Sequence, residues 1–166
     1  MDFGDVLIAV TVRVAVVTYV LRIVVEMTMG REDAGQKASR MLWTLGLGSY
    51  IVHVLCAFHF EHDWSHSDAY EHTVCVTLDK VGWNTGIGLY FNYLFTLLWL
   101  ADVIIWWKRP ELRTPKVFWV LHAIYFFMIF NATVVFGPPV WGVLAIMTFP
   151  CLFCIWLICQ LTEESP

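Results

Sequence analysis

Residues 86–107, GIGLYFNYLFTLLWLADVIIWW, form an apolar run that contains a single charged side chain, Asp102. A helix of roughly 20 apolar residues is long enough to cross the ~30 Å hydrocarbon layer of a bilayer. Trp106 and Trp107 at the end of the run suit a lipid–water interface, where tryptophan is enriched. The run therefore predicts a transmembrane helix.

Four further apolar runs of comparable length lie at about 5–28, 41–60, 117–136 and 140–160. Hydrophobic residues make up 59% of the 166-residue chain and charged residues only 14%, which departs strongly from a soluble globular average. The nine tryptophans suit a protein that meets two lipid–water interfaces. We therefore expect residues 1–166 to form one all-α domain, a polytopic bundle of five transmembrane helices.

Lysine and arginine are distributed unevenly between the connections, and this predicts the orientation of the bundle. The first and third connections, 30–40 and 108–116, contain seven basic residues: Arg31, Lys37, Arg40, Lys108, Arg109, Arg113 and Lys116. The N-terminal tail and the second connection, 61–85, contain only Lys80 against seven acids: Asp2, Asp5, Glu61, Asp63, Asp68, Glu71 and Asp79. Because short cytoplasmic loops carry an excess of lysine and arginine, we expect the N-terminus outside and the C-terminal TEESP inside.

The second connection, 61–85, is long enough to have structure of its own. Ser65 and Asp68 fit the Ser-x-x-Asp capping box that opens a helix, and Gly82 is suited to end it. The face between them follows helical spacing and is formed by Ala69, Tyr70, Thr73, Val74, Thr77, Leu78 and Val81. We expect an amphipathic helix that lies on the outer membrane surface.

The stretch HFEHDWSHSDAYEH, residues 59–72, holds four of the six histidines of the chain. If the second transmembrane helix continues past Phe60, the first three of these histidines share one helical face at i, i+3 and i+7. Imidazole with carboxylate suits copper, zinc or iron, and three protein ligands leave an open coordination position. The stretch therefore predicts a transition-metal site at the outer face, with the candidate ligands His59, His62, Asp63, His66, Asp68 and His72.

Two interpretations of this stretch other than metal binding remain open. Histidine and acidic residues are common on solvated loops, and the stretch contains no His-Glu-x-x-His motif and no paired Cys-x-x-Cys. It could therefore serve in proton handling or form only a solvated cap of the bundle. The sequence identifies no catalytic residue.

Ionisable side chains inside the apolar runs are expensive in a bilayer and indicate functional or structural contacts. Arg22, Asp102 and His122 each lie roughly 8–9 Å from the predicted inner boundary at a rise of about 1.5 Å per residue. We expect one layer with an Arg22–Asp102 pair and His122 nearby, although Arg22 and Glu26 also have the spacing of a pair within one helix. Such a polar cluster would be an interhelical lock, a proton relay or an anion site.

Arg13 lies on an otherwise apolar face of the first helix that includes Val6, Val17, Val20 and Val24. Its long side chain either extends toward the outer surface, or this face packs on another subunit. The expected partners are therefore the bilayer and, in the second case, copies of the chain or other membrane subunits.

Two further classes of protein are disfavoured. A net charge of −4 provides no basic patch for nucleic acid. His53 and His122 lie at different predicted depths, so they are poorly placed to ligate an intramembrane haem from opposite sides.

Three functional classes fit these features. The first is a small membrane metalloprotein that handles copper, zinc or iron, or uses the metal in redox chemistry, at a periplasmic or extracellular face. The second is a non-enzymatic accessory subunit of a larger membrane complex, and the third is a small transporter or proton-conducting module. All three imply a multi-pass integral protein of a bacterial inner membrane or an equivalent membrane.

Overall fold

The computed structural model of the chain describes residues 2–30 and 32–163. Arg31 and the last three residues of TEESP, which enter the predicted orientation, lie outside this range. Within it the chain is helical and contains no β-strand, which confirms the all-α prediction. The described α-helices are α1 Phe3–Met29, α2 Asp33–Phe60, α3 His66–Val81, α4 Ile87–Lys108, α5 Pro115–Phe130 and α6 Pro139–Glu163.

Two shorter elements lie next to α5. A 3₁₀ turn, Pro110–Leu112, forms part of the α4–α5 connection, and a π-helical turn, Asn131–Val135, continues α5 at its other end. The hydroxyl of Thr114 caps α5 by accepting from the N–H of Val117. Together α5 and the π-helical turn cover the fourth predicted apolar run.

Among the described residues, four helical segments are long and apolar enough to cross a membrane: Phe3–Met29, Asp33–Phe60, Ile87–Lys108 and Lys116–Val135. The chain therefore has the length and composition of a multi-pass membrane protein. α6 begins at Pro139, close to the predicted start of a fifth span. The fifth span and the orientation of the bundle stay predictions.

α2 is longer than predicted because it begins at Asp33, inside the segment expected to be a connection. Ala34, Gln36, Lys37 and Ala38 are good helix formers, so the helix extends past the end of the apolar run. Apolar composition marks where a helix can enter lipid, whereas capping and propensity decide where the helix itself ends. The connection between α1 and α2 is consequently short, and the two helices form an antiparallel hairpin.

Gly46 brings α1 and α2 into close contact. A Cβ atom at this position would lie 2.7 Å from Oγ1 of Thr18 on α1 and 3.0 Å from the ring of Trp99 on α4. Small residues allow this approach between membrane helices, where lipid provides no hydrophobic drive for association. Gly46 therefore marks the point where three helices meet.

Hydrogen bonds also join α2 to the backbone of α1. The hydroxyl of Ser49 donates to the carbonyl of Thr11 at 2.8 Å, and Nδ1 of His53 donates to the carbonyl of Ile8 at 3.0 Å. A carbonyl oxygen can only accept, so Nδ1 of His53 carries a proton. These two bonds account for polar side chains that would otherwise face an apolar surrounding.

The centre of the bundle is aromatic. Trp43, Trp99 and Tyr125 expose 1%, 1% and 0% of their surfaces. The ring centroid of Trp43 lies 4.5 Å from that of Trp99 and 4.8 Å from that of Tyr125. Tyr19 adds a contact from α1, with its ring 5.9 Å from Trp43. Ring contacts thus join all four candidate spans.

α3 packs on the beginning of α4 through its first turns. The side chain of Ser65 accepts from the N–H of Asp68 at 3.2 Å, and Gly82 ends the helix with a φ of 76°. Ala69 is buried, and a Cβ at Gly86 would lie 2.6 Å from the ring of Tyr70. The predicted helix and its two ends are confirmed, and its position on a membrane surface stays a prediction.

The two ends of the bundle differ in charge. The acidic end consists of the start of α1, the end of α2, α3 and the start of α4, and Phe3 there lies 6.4 Å from Phe60 between ring centroids. The basic end consists of the end of α1, the start of α2, the end of α4 and the start of α5. There the guanidinium of Arg40 lies 4.1 Å from the ring of Trp107.

We expect Gly46→Ala to lower the free energy of unfolding by about 1–3 kcal/mol, because the new methyl group overpacks the contact with Thr18 and Trp99. Gly48 supplies the matched control, since a Cβ at this position meets nothing within 4 Å. Gly48→Ala should leave the stability unchanged or raise it slightly, because alanine is the better helix former. The two variants are compared by thermal unfolding in detergent, and equal stabilities would contradict the close contact.

Candidate functional sites

The histidine-rich stretch does not continue α2 beyond the predicted end of that helix at residue 60. α2 ends at Phe60, and the chain then turns, with the N–H of Trp64 donating to the carbonyl of Phe58 at 2.9 Å. His62 and His66 consequently do not share a helical face with His59, because the condition for it, a helix that continues past Phe60, is not met. Helical spacing applies only while the helix lasts, and the turn replaces it with a different arrangement.

Two residues of the turn have left-handed backbone conformations, Asp63 with a φ of 44° and Trp64 with a φ of 63°. Aspartate tolerates this region, but for a bulky tryptophan it is uncommon and costs roughly 1–3 kcal/mol. The indole of Trp64 stacks on Phe58, with the centroids 6.5 Å apart and the planes at 29°. This contact offsets part of the cost and holds the turn that leads into α3.

The turn brings His62 to the first turns of α3. Nδ1 of His62 and Oδ2 of Asp68 are 2.8 Å apart, and only 11% of the His62 side chain is exposed. The ring of His72, one turn further along α3, lies 5.2 Å from that of His62, with the planes at 63°. Asp68, His62 and His72 therefore form a contiguous row, which we call the acidic-end triad.

The other candidate ligands have different surroundings. Nδ1 of His66 forms a hydrogen bond with the hydroxyl of Tyr93 at 3.0 Å, which ties α3 to α4. His59 is exposed and contacts the ring of Phe60, 4.6 Å away. Asp63 is exposed at the tip of the turn. The structure thus brings together three of the six predicted ligands and separates the remaining three.

The acidic-end triad offers two imidazole rings as ligands for a metal ion. Over residues 2–30 and 32–163, no group of three or more His, Cys, Asp or Glu side chains is arranged to hold a metal ion. Oδ2 of Asp68 contacts Nδ1 of His62. The triad can therefore supply two nitrogen ligands and one carboxylate that orients a ligand.

The second candidate site is a buried polar cluster at the basic end. Arg22 is fully buried, and its Nη1 donates to Nε2 of His122 at 2.6 Å. Its Nη2 forms an ion pair with Oε2 of Glu26 at 3.3 Å, and the same oxygen accepts from the hydroxyl of Ser39 at 2.8 Å. These contacts connect α1 to α2 and α5.

The hydrogen bonds of His122 define its protonation state. Its Nδ1 lies 2.8 Å from the carbonyl of Phe118, which can only accept, so Nδ1 carries a proton. Arginine can only donate, so Nε2 uses its lone pair to accept from Arg22. His122 is therefore a neutral imidazole with both nitrogens engaged.

Asp102 is the second carboxylate of the cluster and, unlike the partly exposed Glu26, exposes only 1% of its surface. It accepts from Nε of Arg113 at 2.9 Å and from Nη2 of the same side chain at 3.3 Å. The indole N–H of Trp43 donates to it at 2.8 Å. Three charge-assisted hydrogen bonds thus satisfy this carboxylate and join α2, α4 and the α4–α5 connection.

Aromatic rings surround the two guanidinium groups. The Cζ of Arg113 lies 3.8 Å from the ring of Trp106, and the Cζ of Arg22 lies 5.0 Å from the same ring. Two cations then face two carboxylates, Glu26 and Asp102, and the cluster is balanced in charge. Such a balanced, hydrogen-bonded arrangement is what a buried ionic group requires in an apolar surrounding.

The cluster differs from the prediction in the pairing of its charges. Arg22 contacts His122, but it pairs with Glu26, the alternative that the spacing within α1 allowed, and Asp102 pairs with Arg113. In the sequence, Arg113 stands out only as a basic residue of the connection 108–116. The shortness of this connection could have indicated the contact with Asp102. An arginine between two closely spaced apolar runs has a side chain long enough to reach the buried ends of both helices.

No protein-family model, curated protein or solved structure matches this chain. The function is accordingly inferred from the geometry of its own residues.

Because Asp102 and Arg113 form a buried ion pair, we expect substitutions at these two positions to have strongly non-additive effects on the free energy of unfolding. Asp102→Asn leaves the Arg113 guanidinium without its carboxylate and should lower the free energy of unfolding by about 3–5 kcal/mol, since breaking one side of a buried pair strands a charge. Arg113→Gln should be destabilising for the same reason, and the double variant should lose less than the sum of the two. Unfolding in mixed micelles measures all three variants.

The exposed Asp79–Lys80 pair supplies the control for this cycle. Its charged atoms are 3.5 Å apart, and its side chains are 76% and 47% exposed. Exposed pairs couple weakly, so the cycle of Asp79→Asn and Lys80→Gln should be close to additive. A coupling at Asp102–Arg113 no larger than this control would show that the buried pair is not an energetic unit.

Proposed function

We propose that the protein is a multi-pass membrane protein that binds a transition-metal ion at its acidic end and serves in metal handling. His62 and His72 are the two protein ligands, and Asp68 orients His62. The single observation that carries the proposal is the row formed by Asp68, His62 and His72.

The contact between Asp68 and His62 supports the first ligand. Histidines that bind metals commonly donate their other ring N–H to a carboxylate, which fixes the tautomer and makes the ligating nitrogen more basic. With Nδ1 of His62 at 2.8 Å from Asp68, its Nε2 is the nitrogen left for a metal. Among the described residues, this nitrogen has no hydrogen-bond partner.

The spacing of the two rings supports a shared ion. A metal about 2.0–2.1 Å from a ring nitrogen lies roughly 3.2 Å from the centre of that ring, so two imidazoles at a tetrahedral angle have centroids about 5 Å apart. The rings of His62 and His72 are 5.2 Å apart. The distance between the two ring centroids therefore matches that of two imidazole ligands of one ion.

Two protein ligands leave the rest of the coordination sphere to water or to a donor group of another molecule. Imidazole nitrogen favours zinc, copper, nickel or iron over calcium and magnesium. An open site of this kind suits an ion that arrives and leaves, because closed structural sites use four protein ligands. Metal handling is thus favoured over a permanently bound structural ion.

The charge of the acidic end favours the same role. Lys80 is its one basic residue beside the seven acids of the N-terminal tail and residues 61–85. A surface dominated by one sign of charge raises the local concentration of the opposite ion. With the basic loops on the cytoplasmic side, as the positive-inside rule favours, this surface faces the periplasm or the exterior.

The basic-end cluster favours a structural role over a proton relay. Its two cations and two carboxylates are paired, and both nitrogens of His122 are engaged. Moving a proton through such a cluster would require breaking these bonds. We therefore assign the cluster to holding the helices together and the ligand chemistry to the acidic end.

Titration of the purified, metal-free protein with Cu²⁺ or Co²⁺ tests the proposed site, with elemental analysis after removal of excess metal. We expect about one ion per chain and d–d absorption typical of nitrogen ligation. His62→Ala and His72→Ala should each abolish this signal. Asp68→Asn should weaken binding by about 10–100-fold, the usual effect of losing a carboxylate that supports a histidine ligand.

His59→Ala is the matched control, because His59 lies in the same stretch but contacts Phe60 and not the triad. This variant should bind metal like the wild type. Metal binding that survives loss of both His62 and His72, or that depends equally on His59, would overturn the proposal. Circular dichroism and the unfolding temperature of each variant confirm that the helices are intact.

A further inference from the structure

Arg13 is the cation of α1 that the basic-end cluster leaves out. It lies ten residues after Phe3, roughly 15 Å along the helix, and nine residues before Arg22. Among the described residues, no carboxylate forms an ion pair with it and no group accepts a hydrogen bond from it. Its one described polar interaction is with Trp141 on α6, whose ring centroid lies 5.2 Å from the guanidinium carbon.

A charge at this depth needs a counter-charge. Charged side chains within the hydrocarbon layer are costly, and arginines there pair with other groups or extend to the interface. Trp141 is only two residues beyond the first residue of α6, so its indole lies near the acidic end of that helix. The contact with Trp141 therefore holds the guanidinium beside the first turn of α6, the end of that helix that lies toward the acidic end of the bundle.

A shallow cavity surrounds Arg13 between α1, the π-helical turn and α6. It measures about 100 Å³, and its walls, besides Arg13 and Trp141, are formed by Ala9, Val12, Val16, Ala132, Thr133 and Pro138. The hydroxyl of Thr133 is already used within its own helix, where it donates to the carbonyl of Ile129 at 2.7 Å. The cavity thus offers one uncompensated cation on otherwise apolar walls.

The π-helical turn Asn131–Val135 forms one wall of this cavity. Turns of this kind are rare within helices and occur frequently at functional sites. Here the turn comes directly before the Gly137–Pro139 connection, and a Cβ at Gly137 would lie 2.5 Å from the carbonyl of Thr133. The π-helical turn therefore leads directly into a tightly packed connection to α6.

We propose that Arg13 and Trp141 bind the phosphate group of a phospholipid from the leaflet at the acidic end, with an acyl chain on the apolar walls of the cavity. The guanidinium fork matches phosphate oxygens in a bidentate way, and an indole at an interface presents both an apolar face and an N–H donor. Charge complementarity selects an anion, and the apolar walls select one that is joined to a hydrocarbon chain. This site is separate from the acidic-end triad and does not depend on metal binding.

Native mass spectrometry of the full chain tests this site, with the protein released from detergent micelles that contain phosphatidylglycerol. We expect the wild-type chain to retain one phospholipid. Arg13→Gln should weaken retention about tenfold, because a lost charge-assisted contact corresponds to at least one factor of ten in the binding constant. Lys80→Gln is the matched control, since it removes one cation from the exposed connection at the same end, and it should retain lipid like the wild type.

Two further variants keep the test decisive if Arg13→Gln does not fold. Arg13→Lys keeps the charge but loses the fork, and Trp141→Phe keeps the ring but loses the N–H, so each should weaken retention by a smaller factor. Retention that is unchanged in all folded variants overturns the proposal. A wild-type dimer that carries no lipid and separates in Arg13→Gln also overturns it, because the partner of Arg13 would then be a second copy of the chain.

Discussion

The structure depends on a constraint that an apolar surrounding imposes, namely that a buried charge must be paired with a counter-charge. Arg22 and Asp102 are both almost fully buried, and each is paired by a residue near the basic end of the bundle. The pairs and their aromatic neighbours connect α1, α2, α4 and α5. Since lipid offers helices no hydrophobic reason to associate, these directional contacts decide how each helix is rotated against the others.

The helices follow from the sequence because apolar runs and caps are local properties, and the limits of α3 at Ser65 and Gly82 are an example. The pairing within the polar cluster does not follow in this way. Depth counting places Arg22, Asp102 and His122 in one layer, but it cannot tell which carboxylate each guanidinium reaches. The partner of Asp102, Arg113, lies in the connection between α4 and α5. A connection has no regular repeat, so the direction of its side chains cannot be predicted from residue spacing.

The histidine-rich stretch shows a second limit of sequence reasoning. A helical spacing was assumed where the chain turns, and the turn rests on the stacking of Trp64 against Phe58 and on two left-handed backbone conformations. Neither feature can be predicted from the local sequence, because tryptophan is uncommon at turn positions with a left-handed backbone. The consequence is a different set of neighbours for His62, which now lies against α3.

Arg113 also has a consequence for how the protein reaches its folded state. In the proposed orientation, a positive charge between α4 and α5 helps to retain this loop in the cytoplasm while the flanking helices enter the bilayer. In the finished bundle the same side chain is 9% exposed and lies inside the protein, bound to Asp102. One residue would thus guide membrane insertion first and helix assembly afterwards, so the loop can close over the basic end only once α4 and α5 stand side by side.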